Sequence, residues 1–126
     1  MIDMFLKSVI DSDTAAVVIC DTEHRIVYMN PAAVSRYARS GGSGLVGKSL
    51  LECHNSQSGE KIIQIIEWFK KDKSNNRVFT FHNTKENKDV YMIALRDGDG
   101  RLIGYYEKHE YRTPESGKLY DIGGIL

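Results

Sequence analysis

The chain has 126 residues, enough for one domain around a single hydrophobic core. Its 17 Lys and Arg residues balance 17 Asp and Glu, so the zero net charge points to neither nucleic acid nor an anionic membrane as a partner. The sequence has no apolar run of about 18 residues, so no membrane-spanning helix is predicted.

The cysteines and the N-terminus favour a reduced, cytoplasmic compartment. Only Cys20 and Cys53 are present, and they are not spaced as a CxxC pair. The N-terminus carries Asp3, and its short apolar stretch is interrupted by Lys7, unlike a secretory signal.

A short helix and a β-hairpin are predicted at the start of the chain. Residues 4–10 place apolar side chains at roughly helical spacing. Residues 15–21 and 25–30 are rich in β-branched side chains and are joined by a short polar link, which is typical of a hairpin.

A second short helix should follow the hairpin. Asn30 is a good N-cap and Pro31 suits the first helical position, so the helix is predicted to run to about Tyr37. Residues 39–44 then interrupt it, because three closely spaced glycines disfavour a helix.

Residues 58–71 give the clearest helical pattern, with Ser58 as the predicted N-cap. Apolar side chains recur at intervals of three and four residues and define one face of this helix: Ile62, Ile65, Ile66 and Phe69.

Three strands are predicted after the long helix. They span residues 77–83, 89–97 and 101–112, and the last two are joined by a tight turn at Asp99-Gly100. Hairpin links imply an antiparallel sheet, with the helices between the two sets of strands covering one of its faces. The tail, residues 113–126, is expected to be extended or poorly ordered.

Residues 42–49, "GSGLVGKS", match the phosphate-binding loop of P-loop nucleotidases. That loop needs a strand before it and a helix directly after the lysine, within a parallel sheet. Here the preceding segment is helical in pattern and the strands are joined by hairpins. A P-loop nucleotide-binding enzyme is therefore the last of the alternatives.

From about Val9 to Arg112 the chain resembles a PAS domain. Residues 16–37 resemble the first hairpin and helix of that family, residues 45–52 the segment that follows, and residues 96–111 the closing hairpin. The resemblance implies an α+β fold, with a five-stranded antiparallel sheet carrying short helices and one longer helix on one face. It divides the chain into a PAS-like domain with a short N-terminal helix, residues 1–112, and a tail or linker, residues 113–126.

The resemblance also indicates which cofactors to consider, namely flavin and haem. Flavin-photosensing members use a Cys in a motif that is absent here, and the surroundings of Cys53 do not match it, so flavin is not expected. Some members bind haem through a His on or near the long helix, which makes His54 a candidate iron ligand with Cys53 as a thiolate alternative. Otherwise His54 caps the helix or lies in solvent.

The last predicted strand has polar groups on both faces. Tyr105, Glu107, His109 and Tyr111 share one face, and Tyr106, Lys108 and Glu110 share the other. A polar inward set would suit a polar or anionic ligand; the alternative is a strand facing solvent or a dimer partner.

Apolar residues of the long helix and the sheet are the candidate pocket lining, unless they simply fill the core. These residues are Ile62, Ile66, Phe69, Phe79, Phe81, Ile93 and Tyr106. No metal site is expected, because the spacing of four potential ligands has no recognisable signature: Cys53, His54, His82 and His109.

The sequence thus predicts a sensory domain that binds a small molecule and relays its state through protein contacts or a homodimer. A kinase or transcription regulator would be the partner in trans, unless the chain is a fragment of a longer protein. The alternatives are a ligand-free module that dimerises through the sheet or the N-terminal helix, and a haem-binding sensor using His54. No nucleophile–base pair is recognisable, so no catalysis is expected.

Overall fold

A five-stranded sheet forms the centre of the fold in the computed structural model, which describes residues 2–124. The helices and strands in chain order are α1 (Ile2–Ser12), β1 (Val18–Asp21), β2 (Ile26–Met29), α2 (Pro31–Arg36), α3 (Ser56–Lys71), β3 (Arg77–Asn83), β4 (Lys88–Arg96) and β5 (Leu102–Tyr111). Three short 3₁₀ helices lie between α2 and α3: Ala38–Ser40, Gly42–Leu45 and Leu50–Cys53.

The sheet order is β2-β1-β5-β4-β3, and every neighbouring pair is antiparallel. The two sets of strands meet where β1 pairs with β5, with Cys20 opposite Tyr105. This arrangement confirms the predicted α+β fold with an antiparallel sheet. None of the helices within residues 2–124 is both long and apolar enough to cross a membrane.

The two faces of the sheet have different neighbours. The inner face, which includes Cys20, Met92 and Tyr105, packs with α3 and α2 in the main core cluster. The outer face carries Ile19 and Tyr106, which are paired across β1 and β5 and border a crevice beside the end of α1.

The periodic face of α3 is buried as predicted, since Ile62, Ile66 and Phe69 are at most 7% exposed. Burying each such side chain contributes about 1.5–3 kcal/mol to stability. The helix begins at Ser56, and the predicted N-cap, Ser58, is wrong by three residues. Asn55 is the N-cap, and its side chain accepts a hydrogen bond from the Ser58 N–H at 2.8 Å, so Ser58 is the capped residue.

The two strands of the first hairpin are shorter than predicted, and the cause is the side chain of Asn30. This residue is fully buried, and its Oδ1 accepts from the N–H groups of Val17 and Ala33, each at 2.9 Å. Its Nδ2 donates to three carbonyls at 3.0–3.3 Å: those of Ile10, Asp13 and Ala15. The chain before β1 therefore wraps around Asn30 and is not part of the sheet.

Arg96 at the end of β4 fixes the C-terminal end of α3. Its guanidinium donates to three carbonyls at that end: those of Phe69 at 2.7 Å, Asp72 at 3.1 Å and Asn75 at 3.0 Å. The last carbonyls of a helix have no partner within it, and Arg96 satisfies that of Phe69 while its bonds to Asp72 and Asn75 fix the segment directly after α3.

Beyond β5, the described part of the tail contains no helix or strand, and Ile125 and Leu126 lie outside the described residues. The division into a domain of residues 1–112 and a tail of residues 113–126 stays a prediction.

Replacing Asn30 with Ala should lower the free energy of unfolding by about 3–5 kcal/mol, because each buried group that loses its partner costs about 1–3 kcal/mol. The matched control is Asn55→Ala, which removes the exposed N-cap of α3 and should cost only about 1 kcal/mol. Urea unfolding measures both. Equal losses would contradict a central role for Asn30.

Gly104 should not tolerate a side chain. A Cβ at this position would lie 2.1 Å from the carbonyl oxygen of Cys20, within the β1–β5 pairing. Gly104→Ala should therefore destabilise the protein by about 2 kcal/mol or more, since overpacking typically costs about 1–3 kcal/mol. At Gly98 a Cβ would meet nothing within 4 Å, so Gly98→Ala should leave the thermal midpoint nearly unchanged. A stable Gly104→Ala protein would refute this close approach.

Candidate functional site

A cavity of about 230 Å³ lies between the inner face of the sheet and the segment that runs from α2 to α3. We call it the inner cavity. Its walls are largely apolar, with Ile26, Met29, Leu45 and Met92 among them. At about 30 Å³ per water molecule, its volume corresponds to roughly seven or eight waters, so it suits a small ligand.

A second, more open space of about 730 Å³ runs between α3 and β3. This α3–β3 groove is lined on one side by Ile65 and Trp68 and on the other by Val78 and Phe81. It shares three lining residues with the inner cavity: His54, Met92 and Glu107. The two spaces are therefore neighbours, with Glu107 bordering both.

Glu107 on β5 has its carboxylate in this region without a hydrogen-bond partner among residues 2–124. The side chain is 36% exposed, and it lines the inner cavity and the groove. Burial raises the pKa of Glu107, and the positive fields of His54, Lys88 and Arg36 oppose that rise only in part.

His109, two residues further along the same face of β5, also lacks hydrogen-bond partners for its ring nitrogens within residues 2–124. Its side chain is 6% exposed, and Nδ1 is buried without a hydrogen-bond partner. Nε2 lies 3.5 Å from Oε1 of Glu107. Burial, with smaller effects of Lys88 and Arg36, lowers the pKa of His109 to about 4, so the ring is neutral near pH 7 and forms no ion pair with Glu107.

The nearby cations pair elsewhere. Arg36 donates two hydrogen bonds to the carboxylate of Glu86, at 3.0 and 2.9 Å, which holds the pKa of Glu86 down to about 2. The buried Nζ of Lys88 lies 3.2 Å from Oε2 of Glu86, at ion-pair distance but without hydrogen-bond geometry, and 5.3 Å from the ring centroid of Tyr111. Neither Arg36 nor Lys88 lines the inner cavity.

The other end of the cavity floor is formed by Tyr105. Its hydroxyl is 2.9 Å from Nδ1 of His24, in the β1–β2 turn. Burial raises the pKa of the neighbouring Cys20 thiol to about 12, so this cysteine is not a thiolate nucleophile near neutral pH.

The seven predicted pocket residues are distributed over several environments. Ile66 and Phe69 are in the core, Ile62 borders both the core and the groove, and Phe79 and Phe81 line the groove. Ile93 and Tyr106 are paired on the outer face. None of the seven lines the inner cavity, and a role for any of them in ligand contact stays a prediction.

The sequence pattern did place Glu107 and His109 on one face of the last strand, but it did not identify them as lining a cavity. Tyr37 was missed, because it follows a short helix whose orientation no periodicity reveals. Period-two alternation defines the two faces of a strand without saying which is inner. The signal that could have found this site was the presence of ionisable residues on a strand that the fold must bury.

His54 lies at the rim of both spaces, with an exposed side chain. At about 230 Å³ the inner cavity is too small to enclose a porphyrin by itself. Cys53 is exposed beside His54.

Among residues 2–124, no three His, Cys, Asp or Glu side chains come together as a metal-binding group. His82 pairs instead with Asp89 at 2.7 Å on the surface, whereas His109 is buried.

The "GSGLVGKS" segment forms no phosphate cradle. Its Gly47 N–H donates to the Ile26 carbonyl at 2.7 Å, and the Lys48 N–H donates to Leu45 at 3.0 Å. Gly47 has a φ of 92°, which a glycine adopts readily. The backbone donors that would bind phosphate are thus used within the fold.

Comparison with known proteins defines the class. A family model described as PAS fold matches residues 10–109, and the chain therefore belongs to the PAS family. PAS domains are generally sensory and signalling modules rather than catalysts. No curated protein matches the chain closely enough to count as a relative.

Solved structures share the fold at low sequence identity. The PAS domain of BvgS from Bordetella pertussis is 18% identical, with a TM-score of 0.59 over 88% of this chain and 86% of that one. A PAS domain from Colwellia psychrerythraea is 12% identical, with a TM-score of 0.65 over 90% and 98%. A sensory box sensor histidine kinase from Vibrio cholerae is 17% identical, with a TM-score of 0.60 over 90% and 93%.

The buried, neutral His109 should make stability depend on pH. Its pKa is near 6.5 in the unfolded chain and about 4 in the folded protein. Between these values the unfolded state binds the additional proton, so the free energy of unfolding should fall as the pH drops from 6.5 towards 4, by on the order of 3 kcal/mol.

Urea unfolding between pH 4.5 and 7.5 measures this slope. His109→Gln should remove the contribution, whereas His82→Gln, at an exposed histidine, should retain it. Glu107 has a raised pKa and contributes the opposite slope, but it is present in all three proteins. A His109 ring that titrates near 6.5 by NMR would contradict the prediction.

Proposed function

We propose that this PAS domain is a sensor whose inner cavity binds a small molecule. The observation that carries the proposal is the pair Glu107 and His109 in the lining of a largely apolar cavity. Within residues 2–124 the Glu107 carboxylate accepts no hydrogen bond, and Nδ1 of His109 is buried without a partner. Leaving buried polar groups unpaired costs free energy, and a bound ligand would recover part of that cost. The cytoplasmic location expected from the sequence is part of this proposal.

The relay of the bound state would use β5 and the N-terminal helix. Tyr106 borders only the crevice beside α1, whereas Glu107, the next residue of β5, lines the inner cavity and borders that crevice as well, so β5 connects the two spaces. Asn30 connects the end of α1 to α2, and Tyr37 directly after α2 lines the cavity. A ligand that moves either element would thus shift the surface near α1.

The partner surface we propose is α1 together with the outer face. Helix α1 buries none of its residues, and its apolar stripe is 55–68% exposed: Ile2, Phe5, Leu6 and Val9. Exposed apolar patches of this kind mark interaction sites. The contact would be a homodimer, or a kinase or transcription regulator in trans.

The alternative function is a ligand-free interaction module. It is favoured by the same exposed stripe on α1, which needs no ligand to act as a contact surface. A native mass spectrum that contains only the unliganded mass, together with a stable dimer, would select this alternative.

Filling the inner cavity should abolish ligand retention. Val18 lines it, whereas Ile19, the next residue of β1, borders the crevice on the outer face. Val18→Phe should weaken ligand affinity at least about tenfold, equivalent to about 1.4 kcal/mol of binding free energy, and so lower the occupancy. The matched control, Ile19→Phe, should retain the ligand.

Native mass spectrometry of the protein purified from cells measures this occupancy, and thermal unfolding verifies that both variants are folded. Equal retention by wild type and Val18→Phe would place the ligand outside the inner cavity and contradict the proposal.

A further inference from the structure

We propose that the inner cavity selects a small amine, or another ligand whose polar group donates hydrogen bonds, with the Glu107 carboxylate as its acceptor. This inference rests on the proposed function, because it specifies the chemistry of the same cavity. It departs from the sequence-based expectation of a polar or anionic ligand.

The charge of the cavity lining is the first reason. Glu107 is the one Asp, Glu, Lys or Arg side chain among the described residues that line the inner cavity. An anionic ligand would meet a like charge there in a setting where water screens poorly, whereas an ammonium group would supply the missing counter-charge.

The cations near the inner cavity do not offset the negative charge of Glu107 in its lining. Both arms of the Arg36 guanidinium are occupied by Glu86. The Nζ of Lys88 is enclosed, with Glu86 on one side and the Tyr111 ring on the other. Within residues 2–124, a ligand in the inner cavity therefore meets no free Lys or Arg head group.

His109 supports the same assignment. It is nine-tenths buried, lines the cavity, and has an unpartnered Nδ1. Because burial lowers its pKa to about 4, it is neutral near pH 7 and cannot neutralise Glu107. A neutral imidazole with its proton on Nε2, the nitrogen 3.5 Å from Glu107, has Nδ1 as a second acceptor. These two side chains thus offer a ligand the Glu107 carboxylate and Nδ1 of His109 as acceptors.

The pH dependence of binding follows from the groups around Glu107. These are His54 before α3, Arg36 and Tyr37 at α2, Lys88 on β4 and His109 on β5. An ammonium ligand favours the ionised carboxylate, so its affinity should fall as the pH is lowered through the raised pKa of Glu107. A carboxylate ligand would show the opposite trend.

Three probes of nearly equal size test the inference on the full chain: benzylamine, benzyl alcohol and benzoate. Binding is measured by NMR titration and calorimetry at pH 7.5. Benzylamine should bind at least about tenfold more tightly than benzoate, with benzyl alcohol between them. Its affinity should decrease as the pH is lowered from 7.5 through the raised pKa of Glu107.

Glu107→Gln should weaken benzylamine binding at least about tenfold and remove the preference over benzyl alcohol. The control is Glu110→Gln on the opposite face of β5, which pairs with Lys108 and Arg112 and should change affinity less than about twofold. If Glu107→Gln does not fold, the pH profile of the wild-type protein decides.

The outcomes separate this inference from the proposed function. Preferential binding of benzoate, or benzylamine affinity unaffected by Glu107→Gln, would overturn the amine assignment and leave a ligand-binding cavity in place. Failure of all three probes to bind overturns the assignment as well. If the native mass spectrum then also lacks a retained ligand, the proposed function fails with it.

Discussion

The fold depends on one buried amide. Asn30 caps α2 through its side-chain oxygen and, through its nitrogen, gathers the carbonyls at the end of α1 and in the segment before β1. Of these groups, the Ile10 carbonyl also accepts from the Asp13 N–H at 3.3 Å, but removing the amide would leave several of the others unsatisfied at once. The position of α1 against the sheet is thus a consequence of a residue that the sequence presents only as a helix cap.

The interior combines two kinds of packing. Around α3 it is apolar and dense, with Phe69 and Ile66 almost fully buried. At the other side of the inner face, β5 introduces Glu107 and His109, which lie 3.5 Å apart and form no hydrogen bond within the described residues. Natural sequences break the rules of local consistency mainly at functional sites. The contrast between these two regions is the reason for locating function at the inner cavity.

The sequence patterns were most informative where a single periodicity sets the structure. The face of α3 and the three closing strands follow from period and turn chemistry, and Gly104 stands where backbones approach closely. The site was less predictable. Tyr105 and Tyr106 are adjacent and alike, yet only Tyr105 faces the inner cavity, and that choice depends on which face α3 covers. The 3₁₀ segments around the cavity have no periodic signal, so neither its volume nor its lining could be derived.

Helix α1 is attached near its C-terminal end, where Ile10 meets Asn30 and Asp11 meets Tyr28, while its first two turns bury nothing. At about 1.5 Å per residue, its 11 residues form a lever of roughly 16 Å. A tilt of about 10° at the attached end would move the free end by about 3 Å, on the scale of the rise of two helical residues. The geometry therefore amplifies small displacements around Asn30 into a shift large enough to change how side chains on α1 meet another surface.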